Sequence, residues 1–121
     1  MILFVDDDEI LQEVVTGILK IRGYEVIALE SGNSAIEWLS NGNRCNLIIT
    51  DIHMADGTGI DLVLWKEQQQ QIDVPVIIVS GDELASLHEI EQFCEIMHLP
   101  ILSKPFKAEV LLGAVKEYYK S

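Results

Sequence analysis

Two kinds of apolar pattern alternate along the chain. Short uninterrupted runs comprise Ile2-Leu3-Phe4-Val5, Asn46-Leu47-Ile48-Ile49-Thr50, Pro75-Val76-Ile77-Ile78-Val79 and Pro100-Ile101-Leu102-Ser103. Unbroken runs of this length suit strands buried on both faces, as in a parallel sheet. Between them, apolar residues recur every three or four positions. Residues 9–22 carry Ile10, Leu11, Val14, Val15, Ile18 and Leu19, which predicts a helix with one apolar face. Asp8 is its expected N-cap and Gly23 its stop. Residues 24–29 read as a second strand and 33–39 as a short helix. A helix is expected over 60–70, with Ile60, Val63 and Leu64 on one side. Another is expected over 83–97, with Leu84, Leu87, Ile90, Cys94 and Met97 at helical spacing and Asp82 as cap. Residues 99–103 form the fifth predicted strand. The last helix, 107–119, would turn Val110, Leu111, Ala114, Val115 and Tyr118 inward.

Five βα units predict an α/β fold, a doubly wound parallel sheet with five helices on its two faces. Right-handed crossovers restrict the topology, and the strand order 2-1-3-4-5 is a common solution. In that order strands 1, 3, 4 and 5 are neighbours. Their exits carry Asp6-Asp7-Asp8, Asp51, Ser80-Gly81 and Lys104-Pro105. Ligand sites in such sheets form at the carboxyl edge. Adjacent strands lie about 4.8 Å apart, so the four exits can meet on one small ligand. The second strand ends in Glu30-Ser31 and brings no comparable set of groups.

Size and composition fit this picture. The 121 residues suit a single domain, 1–121, with one core. The 20 acidic against 8 basic residues leave a formal charge of −12. A surface so acidic repels phosphate backbones, which argues against direct binding to nucleic acid or anionic membranes. Two cysteines without a paired motif point to a reduced, cytoplasmic setting. The apolar N-terminal run lacks a basic region and is too short for a signal peptide, and no run reaches membrane-spanning length.

The strand exits carry the candidate chemistry. Three carboxylates meeting between strands 1 and 3 would repel one another, and a hard divalent cation would relieve that. Oxygen ligands suit Mg²⁺, with Mn²⁺ as the alternative. A metal beside a carboxylate, a lysine and a hydroxyl suits phosphoryl transfer, where catalysis is mainly positioning and charge neutralisation. Asp51 would be the nucleophile. The metal, Lys104 and Ser80 would each take a phosphoryl oxygen. Asp8 reads as a helix cap rather than a ligand. His88 and His98 read as surface residues, Trp38 and Trp65 as packing residues, and Cys94 as core.

The motifs Val5-Asp6-Asp7, the apolar run into Asp51, Val79-Ser80-Gly81 and Lys104-Pro105-Phe106 together resemble the response-regulator receiver domain. The resemblance covers the whole chain in order and spacing. It implies a flavodoxin-like fold and Mg²⁺-dependent phosphoryl transfer from a partner's phosphohistidine to Asp51. It implies metal ligation by Asp7, by Asp6 often through water, by Asp51, and by the backbone carbonyl of His53. It further implies a cis peptide between Lys104 and Pro105. The expected partners are a sensor histidine kinase or phosphotransfer protein, and an output protein or domain engaged through residues 83–119; a homodimer is also allowed. Such a protein is a signalling phosphoacceptor. Its only chemistry is its own phosphorylation and dephosphorylation. Two positions depart from the usual pattern, Met54-Ala55 replacing Met-Pro and Ile101 replacing an aromatic residue, while Ser80 stands where threonine or serine is usual. On that basis the signal is expected to travel mainly through the loop at 81–83.

Other readings make different demands. A phosphatase of the haloacid dehalogenase type needs a second acid two residues after the nucleophile, where this chain has His53. A flavin-binding module needs a hydroxyl- and glycine-rich phosphate loop, where this chain has Asp6-Asp7-Asp8. The remaining alternative is a receiver-like interaction module that is not regulated by phosphorylation.

Overall fold

A computed structural model describes residues 1–81 and 87–121. The strands are β1 (Ile2–Val5), β2 (Val26–Leu29), β3 (Leu47–Asp51), β4 (Val76–Ser80) and β5 (Ile101–Ser103). The helices are α1 (Glu9–Ile21), α2 (Gly32–Ser40), α3 (Gly59–Glu67), α4 (Leu87–Met97) and α5 (Ala108–Tyr118). All strand pairs are parallel, in the order β2-β1-β3-β4-β5. The expected cap at Asp82, the helical positions 83–86 and the packing of the Leu87 side chain lie outside the described residues.

The strands read as continuous apolar runs because alternate residues enter two different cores. Leu3, Val5, Ile48, Val76 and Ile78 join Ala35, Leu39, Leu62, Val63, Ile90 and Cys94 beneath α2, α3 and α4. Ile2, Phe4, Leu47, Ile49, Ile77 and Val79 join Val15, Leu19, Leu111 and Val115 beneath α1 and α5. Cys45 and Cys94 are buried free thiols, and burial raises both, Cys45 to about 11. Such thiols are packing groups and poor nucleophiles. Trp38 and Trp65 pack at the edge of the first core, in keeping with their expected role. His88 and His98 are exposed.

Local signals explain most helix ends. Asp8 Oδ1 accepts the amides of Ile10 and Leu11, as expected of an N-cap. Gly23 takes a positive φ of 89° after α1. The inward faces of three helices differ from the sequence expectation. Val110 is 49% exposed, because Leu111 and Val115 form the buried stripe of α5. Leu64 is exposed and Leu62 is buried in its place. On α1, Ile10 and Val14 face solvent beside the buried Val15 and Leu19. Apolar spacing alone does not decide which of two adjacent stripes meets the sheet.

Gly17 and Gly113 lie within α1 and α5, and a Cβ at either would have nothing within 4 Å. Gly17→Ala and Gly113→Ala should each stabilise the fold by roughly 0.5–1 kcal/mol, since glycine gives up more backbone entropy in a helix. Urea unfolding would read this directly, and a fall in stability would show that these positions are packed against something.

Candidate functional site

Strand register assembles the site. Val5 lies opposite Thr50 in the β1–β3 pair, so Asp6 follows beside Asp51. Asp51 pairs with Val79, and Ser80 pairs with Ser103, which places Lys104 just past the end of β5. One carboxylate oxygen from each of Asp6, Asp7 and Asp51 lies within 4.8 Å of the others. Asp6 is fully buried, Asp51 nearly so, and Asp7 is exposed. The group therefore has a buried floor and one open side.

Lys104 reaches into this cluster. Its Nζ lies 2.9 Å from Asp6 Oδ2 and donates to Asp51 Oδ2 at 3.2 Å. The peptide between Lys104 and Pro105 is cis. The Ile52 amide donates to Asp51 Oδ1 at 2.8 Å, and the Asp8 amide to Asp6 Oδ1 at 2.9 Å. Among the described residues, none donates a well-directed hydrogen bond to the buried Asp6 Oδ2. One ammonium thus serves a cluster of three carboxylates, and the buried Asp6 Oδ2 is held by that ion pair without a well-directed hydrogen bond. A hard divalent cation fits both facts, being oxygen-seeking and able to offset the excess negative charge.

The electrostatics agree. Burial raises the Asp51 carboxyl above the ordinary aspartate value; Lys104 opposes this, and the neighbouring Asp6 adds to it. Burial pulls the Lys104 ammonium down, but its contacts with Asp6 and Asp51 outweigh that, and it stands above the ordinary lysine value. The lysine stays charged at neutral pH. The stability it contributes is complete below the ordinary lysine pKa and is lost as alkaline pH passes its raised value.

Ser80 sits at the same edge but is not drawn into the acid cluster. Its hydroxyl donates to the Gly81 carbonyl at 3.3 Å, while its own carbonyl accepts the Lys104 amide at 2.7 Å. His53 lies two residues beyond Asp51 in the β3–α3 loop and is exposed. Asp8 serves α1 as a cap, outside the cluster. Ile101 is partly buried against the first core.

Gln12 is a supporting residue that sequence reasoning missed. From α1, its Nε2 donates to the backbone carbonyls of Asp6 and Leu29, tying the exits of β1 and β2 together. The available signal was a polar residue among apolar ones in the turn after the acid run, too common a feature to single out. Gly59 is the other support. Its amide donates to the Ile52 carbonyl at 3.0 Å, and it packs directly on the backbone of Asp51.

Comparison with known proteins agrees with the fold. The family model of the response regulator receiver domain matches residues 2–116. Two-component response regulator ORR5 of Oryza sativa subsp. japonica is 34% identical over 86 residues, which is 70% of this chain and 64% of that protein. Response regulator RR06 of Streptococcus pneumoniae is 28% identical over 117 residues, covering 95% of this chain and 51% of that protein. The chain therefore spans between half and two thirds of these relatives. A CheY-like response regulator receiver domain protein from Methanospirillum hungatei superposes with a TM-score of 0.84 at 29% identity, covering 96% of this chain and 90% of that one. The signal receiver domain of a signal transduction histidine kinase from Syntrophus aciditrophicus gives 0.82 at 29% identity, covering 97% and 87%.

The chain belongs to the response regulator receiver domain family of two-component signal transduction. Its five-stranded parallel sheet in the order 2-1-3-4-5 is the flavodoxin-like, CheY-like fold of that family. This is a family of signalling domains. Among the described residues, no helix is long and apolar enough to cross a membrane.

Proposed function

We propose that this receiver accepts a phosphoryl group on Asp51 from the phosphohistidine of a kinase or phosphotransfer protein, with Mg²⁺ held at the acid cluster. The observation that carries the reading is the meeting of Asp6, Asp7 and Asp51 within 4.8 Å, with Lys104 Nζ 2.9 Å from Asp6 and 3.2 Å from Asp51. Asp7, Asp51 and the His53 carbonyl would hold the ion directly, and Asp6 would support it through water. When bound, the ion supplies positive charge for phosphoryl oxygens and offsets the repulsion among the acids. An Asp51 carboxylate oxygen attacks phosphorus as the N–P bond breaks, and the imidazole leaves with the electron pair. Lys104 offers its ammonium to a phosphoryl oxygen, and Ser80 turns its hydroxyl from the Gly81 carbonyl to another. The changed Ser80 region then alters a partner face that includes α4, β5 and α5. The family assignment and the full set of acids and lysine do not favour an interaction module outside phosphorylation.

Mg²⁺ titration followed by amide NMR tests this. Resonances of residues 6–8 and 51–53 should shift with weak affinity, because few protein ligands leave several waters on the ion. The double variant Asp7→Asn with Asp51→Asn should lose the response. An unchanged response in that variant would place the ion elsewhere.

A further inference from the structure

Helix α2 has no acidic residue in its first turn, yet its first amides all have acceptors. Ser31 takes two of them, Ser34 N–H through its hydroxyl at 3.0 Å and Ala35 N–H through its carbonyl at 3.1 Å. The two outermost donate across space. Gly32 N–H reaches the Gly57 carbonyl at 2.8 Å, and Asn33 N–H the Asp56 carbonyl at 3.1 Å. Both acceptors lie in the β3–α3 loop, the loop that leaves Asp51 and carries His53. Side chains repeat the link. Asn33 Nδ2 donates to Asp56 Oδ1 at 2.9 Å, and the Ser31 hydroxyl shares its proton between Ser34 Oγ at 3.0 Å and Asp56 Oδ2 at 3.3 Å.

The contact depends on glycine on both sides. A Cβ on Gly32 would lie 2.4 Å from the Thr58 carbonyl oxygen. A Cβ on Gly57, whose φ is +85°, would lie 2.6 Å from Asn33 Oδ1. The Asp56 carboxylate also sits at the positive end of the α2 dipole. At its other end the loop is tied to Asp51, by Ile52 N–H to Asp51 Oδ1 and by Gly59 N–H to the Ile52 carbonyl. The short segment holding His53 is thus fixed at both ends.

We propose that Asp56, acting through Asn33 and Ser31, is a positioning residue: it clamps the phosphoacceptor loop to the start of α2, and so sets where the His53 carbonyl stands and how tightly the site holds its cation. The inference rests on the reading of the acid cluster as a Mg²⁺ site. A site with few protein ligands is sensitive to each one, and groups that orient a ligand without touching the ion tune affinity strongly. Asp56 and Asn33 are both exposed, so their hydrogen bond adds little to global stability while still restricting the loop. A purely structural role would show the opposite pattern.

The test measures Mg²⁺ affinity by amide NMR, the urea midpoint, and amide hydrogen exchange in wild type, Asp56→Ala, Asn33→Ala and Asp56→Asn. Asp56→Ala should bind Mg²⁺ roughly tenfold more weakly, with an unfolding midpoint near that of wild type. The Gly32 and Asn33 amides should exchange faster even without metal. Asn33→Ala removes the same link from the other side and should act in the same direction, with the double variant no worse than the stronger single one. Asp56→Asn keeps an acceptor for Asn33 and should recover part of the affinity. If Asp56→Ala and Asn33→Ala bind Mg²⁺ within about twofold of wild type, the clamp is overturned while the metal site stands. If wild type shows no response at residues 51–53, the reading of the acid cluster falls and the clamp falls with it.

Discussion

Asp51→Asn should abolish phosphoryl uptake and, without metal, make the protein more stable. The two effects share a cause. Asp51 is almost fully buried beside the fully buried Asp6, and burial raises its carboxyl above the ordinary value, with Lys104 opposing and Asp6 adding to the rise. A carboxyl whose folded pKa exceeds its unfolded pKa binds more protons in the folded state. Stability therefore falls as pH rises from the unfolded to the folded value, and the cost is complete above the latter. The neutral amide removes that cost, and Lys104 keeps Asp6 as a partner at 2.9 Å. At neutral pH with chelator, a gain of about 1 kcal/mol is expected, the size typical of a single stabilising substitution. Thermal unfolding should show the gain shrinking as the pH is lowered through the carboxylate range. Added Mg²⁺ should narrow the difference, because a ligand that binds only the folded form stabilises wild type by mass action. A lower melting temperature for the variant in chelator at neutral pH would show that the carboxylate is a net stabiliser of the fold.

Gly59→Ala should both destabilise the fold and disturb the site. Its Cβ would stand 2.2 Å from the Asp51 carbonyl oxygen and 3.2 Å from Ile52 Cα. Both obstacles are backbone, so no side chain can swing away. The strand exit or the start of α3 has to move, and Thr58 and Asp61 hold that helix start with reciprocal capping bonds. Overpacking of this kind costs about 3 kcal/mol at the upper end of its usual range. Relief by moving Asp51 would also misplace its carboxylate relative to Asp6 and Lys104. Urea unfolding and Mg²⁺ titration should therefore both suffer. A variant with wild-type stability and wild-type amide shifts at 51–53 would mean that the close approach is not rigid.

The sheet and its edge were legible because each buried strand reads as a continuous apolar run and because crossover handedness leaves few orders. Asp6, Asp51, Ser80 and Lys104 could be placed on one edge by counting to the end of each run. The lysine's reach to both Asp6 and Asp51 could not, since it depends on how the turn at Pro105 directs a flexible side chain. Val110, Leu64 and Val14 were misjudged for a different reason. Each sits one position from a buried residue, and a helix with two neighbouring apolar stripes does not announce which one is covered. The tie between Asp56 and Asn33 was hidden most deeply. These residues are 23 apart in sequence, and they meet only because the exits of β2 and β3 flank β1. Glu30-Ser31 carries no set of groups comparable with the other exits, yet Ser31 caps α2 and touches the loop that leaves Asp51.

The central claim is that Asp51 is the phosphoacceptor. The most direct measurement is incubation with a small phosphoryl donor and Mg²⁺, followed by intact mass and peptide mapping under conditions that preserve acyl phosphates. The account predicts one added phosphoryl group, labile to hydroxylamine, located on Asp51 and absent from Asp51→Asn and from a sample held in chelator. A stable phosphoryl group on another residue, or labelling of Asp51→Asn at the wild-type rate, would contradict it.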